Sequence, residues 1–173
     1  MDSASFNDFY AEMRPRIARF IRARFPFDLA EDLANETMLT SWLKNPETPS
    51  DDAGVRQLRS FAYTIAVGHI RNAERKLASE AKFRSALDET TLRIVGNAED
   101  PTYEAVLPDH VKAAVAGLGF DDRQALNLML VGFKTSEIAD ILEITPKAAS
   151  MRLSRAKGRL RAKLGGEEAM GDA

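Results

Sequence analysis

Apolar residues recur three and four positions apart along most of this chain, which is the period of an amphipathic helix. In the N-terminal half, the pattern predicts a series of helices. The first begins near Phe6, with Pro15 marking a kink or a restart because proline lacks a backbone N–H. The second covers residues 29–44 after an N-cap at Asp28, and the third covers roughly residues 55–78.

A further group of helices is predicted in the C-terminal half. One covers residues 111–118 and ends at the glycines there. The next covers residues 122–131 and begins with a capping box made by Asp121 and Gln124. Because each of these helices has one apolar face, we expect both to pack against other helices of the same domain.

Residues 135–163 are the most informative stretch. Thr135 can cap a short helix, the chain then turns, and Thr145 with Pro146 supplies an N-cap and a proline at the first helical position. The helix that follows has an apolar stripe of Ala149, Leu153, Ala156, Leu160 and Leu164. Arg152, Arg155, Arg159 and Lys163 form a second row at the same spacing. A short helix, a turn and a basic amphipathic helix are typical of a helix-turn-helix that binds the major groove.

Two features qualify this motif. Glu143 occupies the turn position at which such motifs often have glycine, and a residue with a Cβ is strained in a left-handed conformation. The paired glycines Gly165 and Gly166 are expected to stop the basic helix.

The intervening residues 79–107 are acidic and less regular, with a short helix expected over residues 80–87. They predict a linker. The predicted fold is therefore all-α, with two small helical domains joined by a flexible linker and a helix-turn-helix in the second. The predicted boundaries are residues 1–78 for the first domain, 79–107 for the linker, 108–165 for the second domain and 166–173 for a tail.

Composition excludes several classes of protein. The chain has no cysteine, which excludes disulfides and cysteine zinc sites, and the separate His69 and His110 argue against any metal site. No apolar run approaches the roughly 20 residues that span a bilayer, so no membrane insertion is expected. The polar start of the chain has no signal-peptide pattern, which favours a cytoplasmic protein. The sequence shows neither a phosphate-binding loop nor a nucleophile paired with a base, so we expect neither an enzyme nor a cofactor.

The net charge of −2 conceals an uneven distribution. Residues 108–165 contain 10 lysines and arginines against 6 acidic residues, a net charge of +4. The cationic charge is therefore concentrated in the predicted helix-turn-helix domain, as expected for a domain that contacts nucleic acid.

Two helices of the N-terminal half also carry candidate chemistry. The stretch AEDLANETMLTSW places Asp32 and Glu36 one helical turn apart, which suits either a solvated face or a basic partner. The next helix mixes aromatic and basic residues, which suits single-stranded nucleic acid. The alternative is that Phe61 and Tyr63 are core residues, and for Phe61 the spacing alone favours the core. The arginines of the first helix could face phosphates or simply solvent; they are Arg14, Arg16, Arg19, Arg22 and Arg24.

These stretches, in this order, resemble bacterial alternative sigma factors of the extracytoplasmic-function (ECF) group of the sigma-70 family. AEDLANETMLTSW is similar to region 2.2, and LRSFAYTIAVGHIRNAERK is similar to regions 2.3 and 2.4. LGFDDRQALNLMLVGFKTSEIADILEITPKAASMRLSRAKGRL is similar to region 4. The resemblance covers most of residues 6–164. The sequence departs from the pattern of that family at Phe61, where tryptophan is usual, and at Val67-Gly68, where Arg-Asn is usual.

The resemblance implies a role for each matching position. Asp32, Asn35, Glu36 and Trp42 would bind the β′ clamp of core RNA polymerase, with the β flap as a further contact of the polymerase. The promoter −10 element would be bound by Phe61, Tyr63, His69, Arg71, Asn72, Arg75 and Lys76. The −35 element would be bound by Thr145, Lys147, Ser150, Met151, Arg152, Ser154, Arg155 and Arg159.

The resemblance also implies promoter DNA as a ligand and an anti-sigma factor as an inhibitory partner. The alternative is a conventional helix-turn-helix repressor or activator whose N-terminal helices dimerise or bind a ligand. The two readings differ in the N-terminal half, because an acidic helix followed by an aromatic and basic helix has no evident purpose in the alternative.

Overall fold

The computed structural model describes residues 3–44, 49, 51–85 and 109–168, and every regular element within them is a helix. The predicted all-α class is confirmed. The chain divides into two compact units, Met1–Ala98 and Glu99–Ala173. The first contains α1 (Ser3–Arg22), α2 (Phe27–Lys44) and α3 (Asp52–Ser85). The second contains α4 (Asp109–Ala116), α5 (Phe120–Leu130), α6 (Thr135–Leu142) and α7 (Pro146–Glu168).

The first unit packs large apolar side chains of α1 against small residues of α2 and α3. The fully buried residues Met13, Ile17 and Ile21 repeat at the spacing of one helical face. Opposite them, α2 contributes the buried Ala30 and Ala34, and α3 contributes the buried Ala62, Ala66 and Ile70. Alanines four residues apart let the helix backbones approach closely, which leaves room for the larger chains of α1.

Two hydroxyl residues lie in the same core. Thr37 and Ser41 are buried on α2, and each donates a 2.7 Å hydrogen bond to a backbone carbonyl four residues earlier, that of Leu33 and of Thr37 respectively. Because both donors are satisfied within the helix, burial leaves neither of them unpaired.

Ion pairs join the three helices around this core. Glu31 of α2 accepts contacts from both Arg14 and Arg22 of α1. From α3, Arg59 pairs with Glu12 at 2.6 Å. The loop residue Arg24 pairs with Glu74 of α3 at 2.6 Å, and Arg16 pairs with Glu12 at 3.1 Å within α1. The prediction for these arginines considered phosphates or solvent, whereas in the structure Arg14, Arg22 and Arg24 make ion pairs with neighbouring helices.

The second unit is arranged around α7, which packs against α4, α5 and α6. The inner face of α7 presents the buried residues Ala149, Leu153 and Ala156. Ala156 joins Leu118 and Leu126 in one apolar cluster, and Met129 and Leu160 pack on its edge. Helix α6 buries Ile138, Ala139, Ile141 and Leu142. The predicted apolar stripe of the basic helix therefore forms the centre of the unit.

The turn between α6 and α7 is a Schellman motif with a left-handed glutamate. Glu143 has φ 52° and ψ 47°, and it is the one residue other than glycine with positive φ among those the structure describes. The Ile144 N–H donates to the Ala139 carbonyl at 2.9 Å, and the Glu143 N–H donates to the Asp140 carbonyl at 3.1 Å. These two bonds define the motif, in which glycine is the usual left-handed residue. Glu143 therefore adopts the left-handed conformation in which a Cβ has a steric cost.

Helix α7 begins as predicted. The Ala148 N–H donates to the Thr145 hydroxyl at 3.2 Å, so Thr145 is the N-cap and Pro146 is the first helical residue. The prediction for α6 was wrong by one residue. Its N-cap is Lys134, whose backbone N–H donates to the Glu137 carboxylate at 2.6 Å, and Thr135 lies inside the helix.

Other predicted helix ends were also wrong. Helix α1 continues through Pro15 without a restart, and α2 starts before Asp28, which lies in its first turn. Helix α3 continues to Ser85 and so includes the start of the segment expected to form a separate short helix; residues 86–87 lie outside the described residues. Glycines do not stop α7, which continues to Glu168.

Helix α5 differs most from its prediction. It starts at Phe120 after an N-cap at Gly119, with no side-chain cap. The capping box of Asp121 and Gln124 was wrong, because both residues lie within the helix and Gln124 is buried. Acidic residues in a first turn still favour the helix, since they face the positive end of its dipole.

The left-handed turn generates a stability prediction. Glu143→Gly should raise the free energy of unfolding by about 1 kcal/mol, because glycine adopts this conformation without the steric cost that a Cβ incurs. Urea unfolding followed by circular dichroism measures this difference.

Gly132 supplies the control for Glu143→Gly. It has φ 96°, so Gly132→Ala adds the strain that Glu143→Gly removes and should destabilise the protein. Equal or lower stability of Glu143→Gly would show that side-chain contacts of Glu143 outweigh the backbone strain.

Candidate functional site

The predicted acidic face of α2 is exposed. The side chains of Asp32, Asn35 and Glu36 all lie at the surface, while Leu33 and Ala34 beside them are buried in the core. Burial of the opposite face fixes the rotation of α2 about its axis, so these three polar groups must point outward together. The face can therefore meet a partner without any rearrangement of the core.

Contacts from α1 hold part of this face in place. The Asn35 side-chain oxygen accepts hydrogen bonds from the Tyr10 hydroxyl at 3.1 Å and from Arg14 Nε at 3.2 Å. The Trp42 ring stacks on Phe6 with centroids 4.6 Å apart and remains 38% exposed. Trp42 is therefore a pre-positioned aromatic surface at the end of the acidic face.

Sequence reasoning missed two apolar residues on the same face. Leu39 is 53% exposed and Leu43 is 73% exposed. They follow Asp32 and Glu36 at spacings of three and four residues, so they extend the same surface row of α2. Their exposure could have been predicted from that spacing in the sequence. Exposed leucines adjacent to carboxylates are typical of a protein-binding surface that has an apolar part and a charged part.

A contact between polar side chains joins the candidate surfaces of α2 and α3. The Glu36 carboxylate lies 3.5 Å from His69 Nδ1. The structure therefore brings together one residue predicted to bind polymerase and one predicted to bind the −10 element.

The outward side of α3 presents most of the predicted nucleic-acid residues. Asn72, Arg75 and Lys76 are exposed, whereas Phe61, His69 and Arg71 are half-buried. The Arg75 guanidinium donates to the Asn72 side-chain oxygen, and its Nε lies 3.4 Å from the Arg71 carbonyl oxygen. An aromatic ring and several basic groups on one side of a helix suit stacking on bases and contact with phosphates.

Tyr63 is not on this surface, so the prediction that it contacts DNA was wrong. It is 3% exposed and makes an edge-on contact with Phe20, with ring centroids 5.2 Å apart. The inner face of α3 contains Ala62, Ala66 and Ile70, and Tyr63 shares that face. Burial raises the pKa of Tyr63 to about 12 because the phenolate would lose its hydration.

Gly68 lies on the outward side of α3. A Cβ added there would meet nothing within 4 Å, so this glycine is not required for close packing. The family pattern has a side chain at this position, and the glycine leaves space on the surface instead.

The outer face of α7 presents a continuous exposed row that is polar except for Met151. Lys147, Ser150, Met151 and Ser154 are exposed, opposite the buried Ala149 and Leu153. Thr145 is exposed at the start of the helix, where its hydroxyl serves as the N-cap. The predicted DNA-facing residues near the helix start are therefore brought together at the surface.

The arginine row of α7 makes ion pairs with α5, while the side chains of Arg155 and Arg159 stay about half exposed. Arg152 pairs with Asp121 at 3.1 Å. Arg155 and Arg159 both bind Asp122, each at 3.0 Å. Further along, a Cβ added at Gly117 would lie 1.9 Å from Lys163 Nζ, so this lysine covers the end of α4. These internal contacts were not predicted, because ion pairs between distant segments leave no periodic signal in the sequence.

No group of three or more side chains suited to a metal ion occurs in the described part of the chain. Among the described helices, none combines the length and apolar character that a bilayer crossing requires.

Comparison with known proteins identifies both the C-terminal segment and the overall fold. Residues 110–160 match the family model of sigma-70, region 4. The fold is similar to the sigma factor RpoE, solved in complex with the anti-sigma factor NepR from Bartonella quintana, with TM-score 0.71 and 21% identity over 92% of this chain and 96% of that chain. It is also similar to CnrH, solved with the cytosolic domain of CnrY, with TM-score 0.55 and 18% identity over 95% of this chain and 90% of that chain. Comparison with curated protein sequences gives no significant match.

The buried tyrosine generates a prediction about pH. In the unfolded chain Tyr63 ionises near pH 10, whereas the folded protein keeps its proton to about pH 12. The unfolded state therefore binds fewer protons between these values, and stability falls as pH rises through them. Relative to Tyr63→Phe, the native protein should lose roughly 2 kcal/mol of unfolding free energy between pH 9 and pH 12.

Urea unfolding of both proteins across this pH range measures the difference. Tyr10→Phe is the matched control, because Tyr10 lies at the surface. The same pH dependence in both tyrosine variants would contradict the assignment of this effect to Tyr63.

Proposed function

We propose that this chain is an alternative sigma factor of the ECF group, which binds core RNA polymerase and directs promoter-specific initiation of transcription. The match of residues 110–160 to sigma-70 region 4 carries the proposal. It is supported by a fold that resembles the solved sigma factor RpoE over 92% of this chain. The protein supplies recognition, and the polymerase supplies catalysis.

The exposed face of α2 is the proposed polymerase-binding surface. Asp32 and Glu36 provide charge for a basic partner such as the β′ clamp, and Trp42 with its stacked Phe6 provides apolar contact. Such a mixture of apolar and charged contacts gives both affinity and orientation. Region 4 would in turn contact the β flap.

The outward side of α3 is the proposed −10 surface. Here Phe61 offers a ring for base stacking, and Asn72 with Arg75 offers hydrogen bonds and positive charge. Tyr63 has no part in this surface, since it is buried. Captured bases would gain stacking and polar contacts that offset the loss of pairing in the duplex.

The start of α7 is the proposed −35 reading surface. Lys147 and Ser150 can hydrogen-bond base edges, and Met151 can make apolar contact with a thymine methyl group. The arginines further along the helix are better placed for phosphate contacts, which supply affinity and register without reading sequence.

Regulation by an anti-sigma factor is the remaining part of the proposal. Two solved structures with this fold, RpoE and CnrH, were determined with bound partners, NepR and the cytosolic domain of CnrY. A comparable inhibitor would cover the polymerase-binding or DNA-binding surfaces of this chain. Such a role places the protein in the cytoplasm.

Transcription in vitro tests the proposal. The full-length protein with core RNA polymerase should produce transcripts with defined start sites from a promoter library. If no such transcript appears while the protein binds duplex DNA, the conventional helix-turn-helix regulator is the better description.

The polymerase-binding surface is tested by the combined substitutions Asp32→Ala and Glu36→Ala. Core-polymerase affinity should fall about tenfold or more, because close interfacial charge pairs each contribute more than 1 kcal/mol. Both side chains are exposed, so stability should change little. Fluorescence anisotropy of the labelled protein titrated with core polymerase measures the affinity.

Asp8→Ala with Glu80→Ala is the matched control, since it removes the same charge from exposed positions on α1 and α3. Equal losses of affinity in the two double variants would mean that net charge, and not the α2 surface, governs binding.

A further inference from the structure

A single buried carboxylate holds two arginines of α7. The Asp122 side chain is 5% exposed. Its Oδ1 accepts from Arg155 Nε at 3.3 Å and from Arg155 Nη2 at 3.0 Å, and its Oδ2 accepts from Arg159 Nη1 at 3.0 Å. Both carboxylate oxygens are therefore occupied by guanidinium groups, and the two arginines are held side by side.

The arginines themselves remain accessible. The side chains of Arg155 and Arg159 are 50% and 54% exposed. The comparable pair on Glu31 in the first unit consists of Arg14 and Arg22, which are only 29% and 14% exposed. A guanidinium has five N–H donors, and Asp122 takes two from Arg155 and one from Arg159. The Asp122 pair therefore keeps donors available at the surface, whereas the Glu31 pair is mainly internal.

We propose that Asp122 is a positioning residue of the DNA-binding surface, which fixes Arg155 and Arg159 as a paired contact for the phosphates of duplex DNA. This inference rests on the proposed function of the second unit. Asp122 does not touch DNA itself and acts only through the two arginines.

Two physical effects support this role. Arginine side chains lose conformational entropy when they bind a phosphate, and a carboxylate that orders them beforehand reduces that cost. The carboxylate also screens the repulsion between two adjacent guanidinium groups, which would otherwise separate. The position of Asp122 in the first turn of α5 is itself favoured by the helix dipole, so the carboxylate that holds the two arginines belongs to a rigid element.

The direction in which one substitution changes the affinity for DNA distinguishes a positioning role from a simple effect of charge. Asp122→Asn removes a negative charge near the DNA, so electrostatics alone predicts tighter binding. Positioning predicts weaker binding, because the two arginines lose their orientation. We expect the affinity of the full-length protein for a random-sequence duplex to fall about tenfold.

Fluorescence anisotropy with a labelled duplex across a range of salt concentrations is the measurement. Asp140→Asn is the matched control, because Asp140 is exposed on α6 and its loss changes the charge of the unit equally. It should bind as tightly as the native protein or more tightly. An Asp122→Asn protein that binds equally well or better overturns the inference.

Further variants separate positioning from folding. Arg155→Lys keeps the charge but cannot form the forked contact, so it should also weaken DNA binding. Unchanged affinity in this folded variant overturns the inference even if Asp122→Asn does not fold.

Arg155→Gln and Arg159→Gln should each reduce the slope of log affinity against log salt by about 0.9. Asp122→Asn added to the double glutamine variant should cause no further loss, and an additive loss would show that Asp122 acts by another route.

The experiment also distinguishes this inference from the proposed function. If the native protein fails to bind duplex DNA at low salt, both the DNA-binding part of the proposed function and this inference fail. If it binds and Asp122→Asn binds more tightly, only the positioning role fails.

Discussion

Each unit of this protein depends on a carboxylate that must be paired with arginine. Glu31 in the first unit and Asp122 in the second are mostly shielded from water, and each is contacted by two arginines. Leaving a buried charge without a partner costs several kcal/mol, so these contacts constrain how the helices of each unit can pack. In the first unit they connect α1 to α2; in the second they connect α7 to α5. The helices that present the candidate surfaces are therefore held by charge as well as by apolar packing.

Local signals predicted helix positions better than helix ends. Thr145 and Pro146 marked the start of α7 correctly because an N-cap depends on hydrogen bonds to the next few residues. The glycines at 165–166 failed as a stop signal, and α3 passes the predicted domain boundary by seven residues, from 79 to 85. A helix can extend through weak positions when the rest of it is well supported, and a short sequence window does not contain that information.

The candidate surfaces were predictable to the extent that they follow helical spacing. The spacing of Asp32 and Glu36, one helical turn apart, predicted that they share a face, and both lie at the surface of α2. Tyr63 could not be placed, because an aromatic residue near the edge of an apolar stripe suits either side of a helix until the packing of α1 is known. The contacts of Arg155 and Arg159 depend on Asp122, more than 30 residues earlier in the chain. Ion pairs of this range have no sequence period, so geometry was needed to find them.

Trp42 is the one tryptophan in the sequence, and it lies at the end of the exposed face of α2, stacked on Phe6. The indole emission of the chain therefore comes from one position, on the exposed face of α2. A partner that covers Trp42 or separates it from Phe6 will change the indole emission. Residues 109–168 themselves contain no tryptophan. Emission of the unlabelled protein can thus report when the exposed face of α2 is covered.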